Sequence, residues 1–162
     1  MAKVTISLKK AVNLRSINKS AHGDIAKSVV DEMKRMILSG ISPVKGVRRF
    51  VQYAAVRNKN QKDYPFSVKN KFPQKSKTPV NLTLSGQFLD TLSYKANDKG
   101  STIGHIDPSR RTRDLFESHN DGLNKRVPQR KYLPNIRGEE YSVSIMRLIK
   151  KLYSDTIKKI LS

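Results

Sequence analysis

The chain of 162 residues contains no cysteine. That absence excludes a disulfide framework, a thiolate zinc site and a cysteine nucleophile, and it fits a reducing compartment. Long apolar runs are missing too. Nothing approaches the ~20 consecutive apolar residues that a membrane-crossing helix needs. Met1-Ala2-Lys3-Val4-Thr5-Ile6 alternates polar and apolar residues where a secretory signal has a continuous apolar centre. The expectation is a soluble protein made in a cytoplasm, with no membrane partner.

Acidic side chains are scarce: 13 Asp and Glu stand against 33 Lys and Arg. A nuclease gathers several carboxylates around Mg²⁺, and these acids are scattered. His22, His105 and His119 show no i,i+4 metal spacing and no HExxH. His119 is two residues from both Glu117 and Asp121, so on a helix it points to a different face from them. No phosphate-binding GxxxxGK[ST] or GxGxxG occurs, and Ser85-Gly86 lacks the second glycine of a nucleophile elbow. The expectation is a protein that is not an enzyme, with no catalytic residues, no metal and no cofactor.

What the sequence does have is positive charge, a net of +20. So large an imbalance costs self-repulsion and points to a polyanionic partner, most simply nucleic acid; acidic protein partners in an assembly are the alternative. The apolar fraction of 36% suffices for one modest core, and the length suits a single domain spanning 1–162.

The pattern of residues predicts an α+β fold: a small antiparallel sheet packed with an N-terminal helix, a middle helix and a long C-terminal helix. Val4, Ile6 and Leu8 alternate as a short strand. Ile25, Val29, Met33, Met36 and Ile37 then form an amphipathic stripe, with Ser20 as the expected N-cap, Asp24 in the first turn and Gly40 as the stop. Val80, Leu82 and Leu84 alternate before a short helix capped by Ser85, in which Phe88, Leu89 and Leu92 face inward and Leu84 packs on Leu89. Leu92 to Ala96, a turn at Asn97-Asp98-Lys99-Gly100, and Ser101 to Ile106 read as a hairpin. Asp107-Pro108 is a helix start, with Asp107 as N-cap, and Gly122 ends that helix. Gly138 to Leu161 reads as a long helix with Ile145, Met146, Ile149, Leu152, Ile157, Ile160 and Leu161 on its apolar stripe and Lys150, Lys151, Lys158 and Lys159 opposite.

Two stretches are candidate interaction sites. Residues 57–79 form a long basic loop carrying Tyr64, Phe66 and Phe72 among its lysines, a mixture suited to phosphates and base faces. Lys69, Lys71, Lys75 and Lys77 are its DNA-proximal candidates; a solvated excursion with locally tucked aromatics is the alternative. Residues 127–134 are extended, basic and bounded by prolines, and Arg130, Lys131, Tyr132 and Leu133 are the candidates for a contact between subunits. A rigid connector covering the domain's own core is the competing reading.

Several of these patterns fall into one order. A helix precedes Gly40-Ile41-Ser42-Pro43, and Val80-Asn81-Leu82-Thr83-Leu84-Ser85-Gly86-Gln87-Phe88-Leu89 follows. Then come Leu115-Phe116-Glu117-Ser118-His119-Asn120-Asp121-Gly122 and Pro128-Gln129-Arg130-Lys131-Tyr132-Leu133-Pro134 before the terminal helix. Over residues 20–160 this resembles the neck, tail-completion and virion-morphogenesis proteins of tailed bacteriophages. Lys131 stands where that family often has proline. The resemblance implies a structural virion protein of the head–tail junction, assembled in the host cytoplasm as a homo-oligomeric ring around the DNA channel. Its implied partners are itself, other neck, connector or tail-tube and terminator proteins, and the double-stranded genome, touched without base readout. The alternative is a cellular basic nucleic-acid-binding protein, ribosome- or nucleoid-associated, although no helix-turn-helix, RNP, KH or zinc pattern is present.

Overall fold

The computed structural model describes residues 17–50, 87–106, 108–123, 129–134 and 138–162. The expected strand at Val4–Leu8, the basic loop 57–79 with Lys69, Lys71, Lys75 and Lys77, the lead-in Val80–Leu84, the Ser85 cap and the Phe88 side chain lie outside the described residues.

The first helix, α1, spans Lys19–Leu38. Its cap is Asn18 and not Ser20: the Asn18 side chain accepts from the Ala21 N–H at 2.9 Å, so Ser20 and Asp24 lie inside the helix. Asp98, from a distant turn, accepts from the Lys19 N–H at 3.2 Å and satisfies a second donor at this end. Gly40 stops the helix as expected. With φ at +74° it lets its own N–H reach the Ile37 carbonyl and the Ile41 N–H reach Met36, the paired closure of a Schellman motif.

A short helix α2, Gln87–Asp90, leads into strands β1, Leu92–Asn97, and β2, Gly100–His105. The strands pair antiparallel with Tyr94 opposite Ile103 and Asn97 opposite Gly100, leaving Asp98-Lys99 as a two-residue loop. Helix α3 spans Arg110–Phe116. Its cap is Ser109, whose hydroxyl accepts from the Thr112 N–H at 3.2 Å, so the helix begins later than the Asp107-Pro108 signal suggested. It continues into one π-helical turn, Glu117–Asp121, closed at Gly122. The last helix, α4, is Val143–Leu161 with Ser142 as cap. It starts after Gly138 because the preceding residues are taken up elsewhere. Glu140 and Ser142 bond to Lys45 and Pro43, and Tyr141 forms an isolated antiparallel bridge with Val44.

These elements make an α+β fold in which α1 is central, with the hairpin on one side and α4 on another. Val29, Val30, Met33, Met36 and Ile37 of α1 meet Leu92 and Ile103 of the hairpin, Leu89 of α2, and Ile145 and Ile149 of α4 in one apolar cluster. Burying each such side chain stabilises by about 1.5–3 kcal/mol, so α1 is the main apolar contributor. The stripe on α4 is buried only over its first turns. Ile160 and Leu161 at its end are exposed, contrary to the expectation that they face the core.

Candidate functional site: the polar cluster around residues 129 to 134

Polar side chains rarely enter a core without partners. Here Arg130 and Asn120 are among the largest fully buried side chains, at 2% and 0% exposure. Asn120 comes from the π-helical turn, in which it and His119 are both buried. Gly122, with φ at +69°, then reverses the chain.

Asn120 binds the backbone of the following extended segment. Its Oδ1 accepts from the N–H groups of Tyr132 and Leu133 at 2.9 and 2.8 Å, and its Nδ2 donates to the Leu133 carbonyl at 3.1 Å. Gln129 returns the contact by donating to the Asn120 carbonyl at 2.8 Å. The Arg130 N–H donates to the His119 carbonyl at 2.7 Å, and the guanidinium lies 3.3 Å from His119 Nδ1. From the other side, the buried Ser42 hydroxyl donates to the Lys131 carbonyl at 2.5 Å and accepts from the Val44 N–H. Lys131 forms an ion pair with Glu139.

Beneath the segment lies His105. Its Nδ1 is 2.7 Å from the Thr91 hydroxyl and its Nε2 is 2.8 Å from the Tyr132 phenol. Phe116 and Tyr132 meet the imidazole edge-on and pack edge-on against each other. Burial, with a smaller contribution from the Lys34 charge, lowers the His105 pKa to about 4. Burial, aided by the Asp121 carboxylate, holds the Tyr132 phenol well above its ordinary range. A hydroxyl, an imidazole and a phenol in line have the outline of a nucleophile, a base and an orienting group. An imidazole so weakly basic is nevertheless poorly matched to general-base work near neutrality, and its hydrogen bonds to Thr91 and Tyr132 tie the hairpin to the extended segment.

The four subunit-contact candidates are therefore placed inside the chain's own core. Arg130, Tyr132 and Leu133 are buried, and the Lys131 side chain is nearly so. His105, His119 and Glu139 engage the side chains of Tyr132, Arg130 and Lys131, and Asn120 and Ser42 bond the segment's backbone. This corrects the expectation that they present a surface to a neighbour: the segment is the connector that seals the core. The residues that organise it, Asn120, Ser42, Thr91 and His105, were not singled out from the sequence. The nearest signal was His119-Asn120, one residue ahead of the helix-stopping Gly122.

Among the described residues no group of three or more His, Asp or Glu is placed to hold a metal ion, and no helix is long and apolar enough to cross a membrane. A shallow open depression lies apart from the cluster, lined by Asn18, Ser20, Gly23, Tyr94, Ala96 and Asp98. Set against family models, characterised proteins and solved structures, the chain has no match.

Proposed function

We propose that this chain is a non-catalytic structural subunit of the head–tail junction of a tailed bacteriophage, a neck or tail-completion protein. Copies of it form a ring that connects head to tail around the DNA channel. The observation that carries the reading is the ordered set of motifs from Gly40 to Pro134. Two of them, ending at Gly122 and running through Gln129–Pro134, are joined through Asn120, so the resemblance rests on residues that together build the core. The net charge of +20 suits a subunit beside passing DNA, whose phosphates it meets without reading bases. A ring subunit needs two different surfaces, one for each neighbour. With residues 130–133 inside the core, those surfaces lie elsewhere on the chain.

The test is the mass of the purified protein, alone and mixed with connector or tail-tube proteins. Ring-sized oligomers, or incorporation into tails, are expected. A stable monomer that binds RNA or DNA tightly at physiological salt supports the second reading, a cellular nucleic-acid-binding protein, which the charge alone favours.

A further inference from the structure

The two long helices carry charge in opposite ways. On α1, Lys27 pairs with Asp31 and Arg35 with Glu32, and Asp24 and Lys34 complete a balanced face. On α4, Arg147, Lys150, Lys151, Lys158 and Lys159 are all exposed, and Asp155 is the helix's acidic residue. None of these five cations has an ion pair among the described residues.

Their spacing puts them in a row. At 3.6 residues per turn, Arg147, Lys150, Lys151 and Lys158 fall within a sector of about 100°, and at 1.5 Å per residue they span about 16 Å. Along that length one strand of a duplex presents about five phosphates. Attraction to the helix dipole accounts for cations only in the last turn. It gives no reason for Arg147, Lys150 and Lys151 in the first half. The opposite face is committed, since Ile145 and Ile149 are buried in the core. The helix is thus held with its cationic side outward and cannot roll its apolar side onto a bilayer.

From this geometry we infer that the outer face of α4 is the chain's docking surface for the phosphate backbone of duplex DNA, through Arg147, Lys150, Lys151 and Lys158. The inference deepens the proposed role at a DNA channel and rests on it: α4 is the side of the subunit that looks toward the genome. Contact is through charge and shape alone, so it carries no sequence preference.

The experiment compares wild type with the triple variant Lys150→Gln/Lys151→Gln/Lys158→Gln and with a control of equal charge change, Lys27→Gln/Lys45→Gln/Lys99→Gln. Binding to a duplex of random sequence is measured across a salt series, and folding is checked by thermal melting. All six positions are exposed. The α4 variant is expected to lose at least ~10-fold in affinity, and its log–log salt slope should shrink by about 2 to 3, near 0.9 for each lost phosphate contact. The control is expected to change far less. Equal losses in both variants, or no loss in the α4 variant, overturn the inference, and so does stripe-dependent binding of polyglutamate that is tighter than binding of the duplex. If the α4 variant still forms wild-type oligomers yet binds DNA unchanged, the docking surface fails while the junction reading stands. If wild type forms no assembly, the junction reading itself fails.

Discussion

Asn120 pairs with Leu133 as one strand residue pairs with another, accepting from its N–H at 2.8 Å and donating to its carbonyl at 3.1 Å. A side-chain amide thus replaces a neighbouring strand and lets an irregular segment enter the core with its backbone satisfied. Deleting the amide leaves three backbone groups without these partners. Each buried unsatisfied group costs about 1–3 kcal/mol. Asn120→Ala is therefore expected to lower stability by roughly 3 kcal/mol or more in chemical denaturation. A loss under about 1 kcal/mol would show that the segment does not depend on this residue.

The His105 pKa, lowered to about 4 from an ordinary 6.5, makes stability depend on pH. Between those values the unfolded chain binds a proton that the folded chain does not, so stability rises with pH in that window. The contribution is complete above about pH 6.5 and is lost as pH falls toward 4, by roughly 3 kcal/mol at most. Burial lowers the His22 pKa as well and acts in the same direction. Urea midpoints measured from pH 7 to pH 4 should fall, and His105→Asn should fall less steeply from a lower start. An equal slope in the variant would remove His105 from the account.

Gly23 lies within α1 against β1. A Cβ placed there would meet Tyr94 Cε2 at 3.6 Å and Ala96 Cβ at 3.9 Å, which is ordinary contact. Alanine is favoured over glycine inside a helix by about 1 kcal/mol. Gly23→Ala is expected to raise the melting temperature by about 2–4 °C. The reverse holds at Gly122, where φ is +69° and a Cβ would press on the Gln129 side chain at 3.3 Å. Gly122→Ala should destabilise by about 1–2 kcal/mol. Melting curves of both variants check the pair, and a stabilised Gly122→Ala would contradict the turn described above.

The lysine-rich stretch 57–79 enters through its sequence alone. Changing Lys69, Lys71, Lys75 and Lys77 to Ser is expected to lower duplex affinity and flatten its salt dependence while leaving the circular dichroism unchanged. Unaltered binding would remove the loop from the DNA-facing surface.

The regular parts of this fold were legible because their signals are local. The Ile25 to Ile37 stripe buries as its spacing demands, and Asn97-Asp98-Lys99-Gly100 turns the hairpin. Boundaries were harder. Asn18 and Ser20 are both good caps, and only the reach of the Asn18 side chain to Ala21 decides between them. The start of α4 was placed too early because the bridge from Tyr141 to Val44 joins residues far apart in sequence. The polar cluster was the least legible. A π-helical turn has no period to detect, and Tyr132 looks like a surface aromatic until His105 and Asn120 are seen against it. Buried polar networks depend on long-range geometry, which composition and spacing do not encode.

The most direct test of the head–tail reading is the position of the chain in the particle. Virions assembled with a small epitope tag on this protein, labelled with an antibody and imaged by electron microscopy, should carry the label as a collar between head and tail. Label on the capsid shell or tail fibres, or mature particles that contain none of the protein, would contradict it.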